Sequence, residues 1–389
     1  MITLFNVHPW RLTQTELCPE HMRLAESITS IGNGLMGMRG NFEETYTGDT
    51  HRGSYLAGVW FPDKTRVGWW KNGYPNYFGK VINAMNLISL RVTVNDTEID
   101  LAALPVLRFE RTLDMRTGVL FRKAVVQLPQ GEVEIQTERF VSIARREVLA
   151  IQYTVTPQFD CTIRLLPALD ADVHNLDSNY DETFWDFAGE GQQGDVFHVS
   201  ARTKENPFDA PRFTVAAAMI SDAPGMEPQP GEIRPGYVCR PYTACVRAGE
   251  SAAIHKYVAV ATSRDHAEDA LAQTACNTVM GAQAAGYATL RGEHEAAWLE
   301  RWARADVTID GDDAAQQGIR FNIFQLFSTY YGEDSRLNIG QGIHRRKVRR
   351  RYLLGYRGLL PAHVPGHRRA RDRPRSTKVS PLPVGGRVF

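Results

Sequence analysis

The chain has 389 residues, of which 43% are hydrophobic and 23% are charged, with a formal net charge of +1. This length and balance are typical of a soluble protein of two or three domains with a sizeable core. No apolar run reaches the length of a membrane-spanning helix, and the first residues lack the basic and apolar regions of a signal peptide. We therefore expect a cytoplasmic protein without a membrane partner.

The cysteine pattern supports the same compartment. The chain has an odd number of cysteines, which are scattered: Cys18, Cys161, Cys239, Cys245 and Cys276. They form no C-x-x-C motif and no Cys/His cluster with zinc spacing. We expect reduced thiols and no metal site.

The net charge averages two unlike segments. Of the 45 Lys and Arg residues and 44 Asp and Glu residues, 14 and one lie in 341–389, which leaves 31 and 43 in 1–340, a net of −12. The basic segment is also rich in proline, which is typical of a disordered tail. The alternative is a basic arm that binds nucleic acid.

A glycine-rich stretch near the N-terminus contains G-x-G-x-x-G at Gly32, Gly34 and Gly37. A dinucleotide-binding loop needs a hydrophobic strand before this motif and a helix after it. Neither flank has that pattern, so nucleotide binding is the alternative interpretation. The favoured interpretation is that the glycines allow turns and close backbone packing.

From about residue 81 to residue 263 the hydrophobic period is two. Leu90, Val92 and Val94 alternate before a turn at Asn95-Asp96, and similar strands follow, among them one that ends at Pro157. Many strands separated by turn residues predict a large antiparallel β-sandwich. We assign residues 1–262 to this N-terminal domain.

Two side-chain groups within the sandwich have both a functional and a structural interpretation. Trp69, Trp70, Tyr74, Tyr77 and Phe78 offer rings that either stack on sugars or pack in a core. Asp170, Asp172 and His174 either bind a metal ion or form a charged turn between strands. In both cases the structural interpretation is favoured.

After residue 262 the period becomes helical. We predict a helical linker over 263–310, with Ser263 as an N-cap and with Trp298 and Trp302 on one helix face. Asp312 or Asp313 begins a third helix, which belongs to a segment that we assign to 311–340. Glu293, Glu295 and Glu300 are either catalytic acids or part of a solvated face, and we favour the solvated face.

Several segments together resemble glycoside hydrolase family 65, the disaccharide phosphorylases, and most of all its maltose phosphorylase-like members. The resemblance covers about residues 20–340. The segments that carry it are 31–59, with its glycines and the run from Met38 to Glu44, then Arg108–Gly118 and Arg139–Val148, and more weakly 170–175.

The resemblance implies a β-sandwich joined by a helical linker to an (α/α)6 barrel, whose first helix would lie in 311–340. It implies phosphorolysis of an α-linked glucose disaccharide to β-glucose 1-phosphate and glucose, with inorganic phosphate as co-substrate and no other cofactor. Loops of the sandwich would reach the barrel's active site, so Asp49, His51 and Arg52 are candidate sugar- or phosphate-binding residues. Family members commonly dimerise, so a homodimer is a further expectation.

After Gly340 the sequence departs from the family. Codons for 341–360 can be chosen that, read in a shifted frame, spell text resembling the start of the family's barrel. We therefore expect a frameshift, a truncated barrel over 311–340 and a disordered tail over 341–389. The chain would then lack the catalytic Glu and be inactive as encoded. Its alternatives are a non-catalytic carbohydrate-binding sandwich and a nucleic-acid binder acting through the tail.

Overall fold

The computed structural model describes residues 4–64, 76–175 and 183–329. Two groups of predictions fall outside these ranges: those on Trp69, Trp70 and Tyr74, and those on residues 330–389, which include the basic tail of 341–389. Within the described ranges, no helix is both long and apolar enough to cross a membrane.

The described residues are mainly β-strand, as predicted. In chain order the strands are β1 (Arg11–Gln14), β2 (Ile31–Gly32), β3 (Met36–Met38), β4 (Ser54–Leu56), β5 (Trp60–Lys64), β6 (Tyr77–Val81), β7 (Leu90–Val94), β8 (Thr97–Glu98), β9 (Val106–Asp114), β10 (Val119–Leu128), β11 (Gly131–Val141), β12 (Val148–Pro157), β13 (Cys161–Asp170), β14 (Trp185–Gln193), β15 (Val196–Thr203), β16 (Thr214–Asp222), β17 (Glu227–Pro228), β18 (Glu232–Arg234), β19 (Tyr237–Cys239), β20 (Tyr242–Val246) and β21 (Ala252–Thr262).

The helices follow the strands, apart from one short helix near the N-terminus. They are α1 (Met22–Ile28), α2 (Leu271–Ala285), α3 (Tyr287–Ala305) and α4 (Asp313–Thr329), with 3₁₀ turns at Pro19–His21 and Glu268–Ala270. This order agrees with the predicted sandwich followed by helices.

Two antiparallel sheets form the sandwich. The larger has nine strands in the order β1-β9-β10-β11-β12-β21-β16-β15-β14. The smaller has seven strands, in which the long β13 pairs with β20, β19 and β7. Two smaller sheets, β2-β3-β4 and β5-β6, lie outside these layers.

The period of two places alternate residues of each strand on opposite faces of the large sheet. In β12, Leu149 and Ile151 belong to the core between the sheets, whereas Val148 and Ala150 belong to a separate cluster on the outer face. That outer cluster includes residues of α2 and α3. Both faces are therefore apolar at this end of the sheet, because the helices cover the outer face.

The predicted hairpin turn between β7 and β8 has the expected backbone. Asn95 and Asp96 both have positive φ, 45° and 65°, the conformation that a two-residue hairpin turn with right-handed twist requires. Asn95 also accepts a hydrogen bond from the Thr162 N–H at 2.8 Å, which ties the turn to β13.

A buried lysine joins the two sheets. The Lys256 ammonium group donates to the carbonyl oxygens of Leu87, Ser89 and Ala168 at 2.9, 2.9 and 2.7 Å. Burial lowers the pKa of Lys256 to about 7. These three bonds satisfy the buried ammonium group, which would cost about 1–3 kcal/mol or more if it were left without a partner.

The start of the linker differs from the prediction. Ser263 does not cap a helix: its hydroxyl accepts a hydrogen bond from the Thr214 N–H at 3.0 Å, and α2 begins only at Leu271. This hydrogen bond joins the first residue of β16 to the residue that follows β21. Asp312, in contrast, does cap α4, since its Oδ1 accepts from the Ala315 N–H at 2.9 Å.

Helix α4 packs on the sandwich and the linker. Phe324 is fully buried and stacks on Trp298, with ring centroids 4.8 Å apart, while Trp302 meets Trp10 edge-on at 4.9 Å. Because the resemblance to the family ends soon after this helix, the sequence predicts that Ile323 and Phe327 have no barrel to pack against and are exposed. That prediction is wrong, because both side chains are half-buried against the core cluster.

His294 connects α3 to the sandwich. Its Nδ1 accepts from the Ile143 N–H and its Nε2 donates to the Gly118 carbonyl, both at 3.2 Å. Burial lowers the pKa of His294 to about 3, although the bond to Gly118 opposes the change. The folded protein therefore holds a neutral imidazole at this contact.

We predict that His294 makes the fold sensitive to mild acid. An unfolded histidine has a pKa of about 6.5, so between that pH and about 3 the unfolded chain binds a proton that the folded chain does not. Stability should therefore fall as the pH falls, by up to about 1.4 kcal/mol per pH unit.

The measurement is urea unfolding of the wild type and of His294→Gln at about pH 7 and about pH 5. The variant is expected to be less stable at neutral pH, yet to lose about 2 kcal/mol less on acidification. The other histidines are the same in both proteins, so their contributions to the pH dependence cancel. Equal losses in the two proteins would contradict the prediction.

Candidate functional site

The glycine-rich motif forms a tight hairpin. β2 and β3 pair antiparallel, and Gly34 in the turn between them has a φ of 78°. The Asn33 side-chain oxygen accepts from the Leu35 and Met36 N–H groups at 3.0 and 2.9 Å. A strand rather than a helix follows the motif, so the dinucleotide interpretation fails and the close-packing interpretation is supported.

The same hairpin is the contact for α4. The Gly34 N–H donates to the Ser328 carbonyl at 2.9 Å, and a Cβ atom on Gly32 would lie 2.7 Å from that oxygen. Only glycine fits this approach. The sandwich and the last described helix therefore meet at the motif that the sequence analysis singled out.

The segment from Arg39 to Gly53, which joins β3 to β4, contains the candidate residues. A buried pair fixes the backbone at His51: Glu26 Oε2 accepts from the His51 N–H at 2.9 Å, and Arg39 Nε donates to the His51 carbonyl at 2.8 Å. Glu26 Oε1 also accepts from the Thr50 hydroxyl. The loop is therefore held in place by two buried charged side chains, with Glu26 Oε2 and Arg39 Nη2 lying 3.8 Å apart.

A second buried network holds the start of the same segment. Arg122 of β10 donates to both oxygens of Glu44 at 2.5 and 2.6 Å, and Arg139 of β11 donates to Glu43 at 2.5 Å. Burial by itself would raise the pKa of Glu43, but the charges of Arg139 and Arg122 outweigh it and lower the pKa. The pairs are charged, and Arg139 also binds the Asn41 carbonyl at 2.7 Å.

The three candidate residues lie on one loop but have different surroundings. Asp49 is exposed and accepts from Arg23 at 2.5 and 2.9 Å. His51 is half-buried, and its backbone is pinned as described above. Arg52 is exposed, and its carbonyl accepts from the Asn83 side chain at 3.3 Å.

Asn83 connects the loop of Arg52 to the segment that contains Asp170, Asp172 and His174. Its Nδ2 donates to the Arg52 and His174 carbonyls, both at 3.3 Å, so the loop of Arg52 and the segment after β13 lie side by side. Burial raises the pKa of Asp170, and the nearby charge of Arg52 opposes the rise. The sequence analysis treated these segments separately.

The metal interpretation of that segment finds no support. Asp170 accepts from the backbone N–H of Asp172 at 2.9 Å, which is a local turn, and His174 lies 3.7 Å from Asp172. Within the described ranges, no group of three or more His, Cys, Asp or Glu residues is arranged to bind a metal ion. The geometry is that of the charged turn.

The glutamates of α3 are surface ion pairs. Glu293 pairs with Arg145 at 2.8 and 2.9 Å, and Glu295 with Arg291 at 2.7 Å. The hydrogen bond from Arg145 lowers the pKa of Glu293, whereas a general acid needs a raised pKa. Glu300 pairs with Arg304 on the solvent side. The solvated-face interpretation is supported.

The described part of the aromatic stretch packs against other rings. Tyr77 stacks on Trp60, with centroids 6.3 Å apart and an interplanar angle of 9°, and it contacts Phe208 at 4.7 Å. Phe78 is 48% exposed. For Tyr77 the packing interpretation is supported.

Sequence reasoning missed three residues that shape the loop: Glu26, Arg39 and Asn83. Arg39 lies two residues after the glycine motif, in the run from Met38 to Glu44 that carries the family resemblance, so its position was a usable signal. Glu26 and Asn83 lie in segments without periodicity or a turn signature. Their roles arise only when distant segments meet.

Comparisons with known proteins show which family this chain is similar to. The profile of the glycosyl hydrolase family 65 N-terminal domain matches residues 12–301. Maltose phosphorylase of Bacillus subtilis (strain 168) is 48% identical over 87% of this chain and 44% of its own length. Alpha,alpha-trehalose phosphorylase of Thermoanaerobacter brockii is 28% identical over 86% of this chain and 45% of its own length.

A solved structure has the same fold. A putative kojibiose phosphorylase from the human microbiome superposes with a TM-score of 0.78 at 23% identity, over 85% of this chain and 43% of that chain. The chain thus spans less than half the length of the relatives it matches. Since the family profile covers most of its residues, the chain belongs to glycosyl hydrolase family 65.

Proposed function

We propose that this chain supplies the sandwich, the linker and the first barrel helix of an α-glucoside phosphorylase that converts maltose and phosphate to β-glucose 1-phosphate and glucose. The observation that carries the proposal is the 48% identity to a maltose phosphorylase, against 28% to a trehalose phosphorylase over nearly the same residues. The five unpaired cysteines support a cytoplasmic location.

Inverting phosphorolysis requires only one catalytic carboxyl group from the protein. One acid protonates the glycosidic oxygen while phosphate attacks the anomeric carbon from the opposite face. Phosphate is already an anion, so the second carboxylate that inverting hydrolases need is not required. The family resemblance assigns the acid to a glutamate of the barrel, and the α3 glutamates of this chain pair with arginines instead.

In this proposal the loop from Thr47 to Gly53 contributes to the substrate site. The exposed guanidinium group of Arg52 suits a phosphate or a sugar hydroxyl, because it donates several hydrogen bonds in a fixed plane. Asp49 and His51 supply further polar groups on the same loop. Glu26 and Arg39 are positioning residues, since they hold the backbone of His51 without reaching the surface.

We expect the purified 389-residue polypeptide to release no glucose 1-phosphate from maltose and phosphate above the enzyme-free background, because the proposed acid belongs to the barrel. The Bacillus subtilis enzyme, assayed in parallel, is the positive control. Phosphate-dependent cleavage by the purified polypeptide would refute this expectation. The source DNA, read in the shifted frame beyond codon 340, should instead encode an active maltose phosphorylase.

The positioning role is testable in this chain without activity. Glu26→Gln removes a buried charge whose hydrogen bonds contribute about 1.5–3 kcal/mol. Hydrogen exchange over residues 47–53 should therefore become roughly ten- to a hundredfold faster.

Glu300→Gln, an exposed glutamate on α3, is the matched control and should leave that exchange unchanged. Unaltered exchange in Glu26→Gln would show that the loop does not depend on this carboxylate. A general rise in exchange over the whole sandwich would show a loss of stability rather than of positioning.

A further inference from the structure

The helices α2 and α3 cover only part of the outer face of the nine-stranded sheet. On β9 to β12 the outward side chains line up in register across the strands. One row contains Glu110, Lys123, Gln136 and Thr154, and the next contains Thr112, Phe121, Glu138 and Gln152. Rows on one face are about 7 Å apart along the strands.

Between these two rows lies a depression of about 210 Å³. We call it the outer groove, and its lining side chains are those of Glu110, Phe121, Lys123, Gln136, Glu138, Gln152 and Thr154. It opens on the face opposite to the core between the sheets. It is therefore separate from the loop of Asp49, His51 and Arg52.

We propose that the outer groove binds a short, neutral, α-linked glucose oligosaccharide as a second carbohydrate site. The choice of glucose rests on the proposed function, whereas the choice of a neutral polyhydroxyl ligand rests on the groove itself. Three features of the groove carry the inference: its hydrogen-bonding groups, its lack of unpaired basic residues and its apolar wall.

The hydrogen-bonding groups match sugar hydroxyls. Among the described residues, the Gln152 amide and the Thr154 hydroxyl form no hydrogen bond with another side chain, and both are half-exposed. The exposed Glu110 and Gln136 stand on neighbouring strands. The Gln136 amide donates to Glu134 at 2.6 Å and Glu110 Oε1 accepts from the Thr112 hydroxyl at 3.4 Å, so the other Glu110 oxygen and the Gln136 carbonyl oxygen are their groups for a ligand. Amide and hydroxyl groups both donate and accept, as each sugar hydroxyl does.

Both basic side chains at the groove, Lys123 and Arg291, are paired with carboxylates. Lys123 contacts Glu134 at 2.9 Å, and Arg291 contacts Glu138 at 2.9 Å. The groove therefore has no excess of positive charge that would attract a nucleic acid. A neutral ligand does not need to compete with these pairs.

The groove also has an apolar wall. Phe121 is half-buried, and the Arg291 guanidinium lies 5.5 Å from its ring centroid. An aromatic ring packs on the C–H face of a pyranose. The depression has little other apolar lining, whereas the centre of a stable protein interface is mainly apolar. A sugar therefore fits this surface better than a second copy of the chain.

The test is binding of maltose and maltotriose to the purified 389-residue chain by isothermal titration calorimetry and by NMR. We expect dissociation constants in the millimolar range and shifts of the outward residues of β9 to β12. The double substitution Gln152→Ala with Thr154→Ala should weaken binding at least about tenfold, the equivalent of about 1.4 kcal/mol. Gln193→Ala, an exposed glutamine at the far edge of the same sheet, should bind as the wild type does.

Four results would overturn the proposal: no binding of either sugar, unchanged affinity in the double variant, shifts confined to residues 47–53, or shifts of β9 to β12 that follow protein concentration instead of sugar. The third would locate sugar at the loop, which leaves the proposed function standing. The fourth would identify a second copy as the occupant. Conversely, binding at the groove is independent of whether the source DNA encodes an active phosphorylase.

Discussion

The arginine–glutamate pairs beneath the segment from Arg39 to Gly53 are the interaction on which the rest of the structure depends. Arg122 and Arg139 project from two central strands and bind Glu44 and Glu43, all four side chains being almost fully buried. Buried pairs of this kind stabilise little relative to apolar packing, but losing one partner leaves an uncompensated charge, at about 3–5 kcal/mol. They therefore fix where a loop without regular structure lies.

The helices are joined to the sandwich at other sites. The glycine hairpin just before that segment binds α4 through a hydrogen bond from the Gly34 N–H to the Ser328 carbonyl. Helix α3 is joined to the sandwich by His294 and by Trp302, whose ring meets that of Trp10 edge-on. The sandwich thus holds both the candidate loop and the helix with which the resemblance begins its barrel. The proposed role of this loop in a substrate site requires such a rigid support.

The two faces of the large sheet differ in composition and in accessibility. The inner face combines the apolar core with buried charged side chains, namely Arg122 and Arg139 beneath the loop and Lys256 at the contact with the second sheet. On the outer face, the rows near Val148 and Tyr257 lie under the helices, whereas the rows of Lys123 and Gln152 remain polar and open. Strand alternation alone creates these rows, and helix packing decides which of them stays accessible.

The sequence by itself determined the fold class and much of its layout. Strict alternation predicted β7, β12 and the hairpin at Asn95-Asp96, and the change of period after residue 262 predicted the helices with Trp298 and Trp302 buried together. These features depend on neighbours in the chain, so local patterns contain them. The glycine motif likewise marked a close backbone contact, although not its partner.

Only the tertiary structure decided what the polar residues do. Ser263 closes a strand end instead of capping a helix, Ile323 packs where exposure was predicted, and Glu26 holds His51 from 25 residues away. Glu43, which follows the glycine motif, contacts Arg139 only when β11 packs against this segment. A charged residue has the same sequence signature whether it is solvated or paired, because its partner is set by strand order and register rather than by its neighbours.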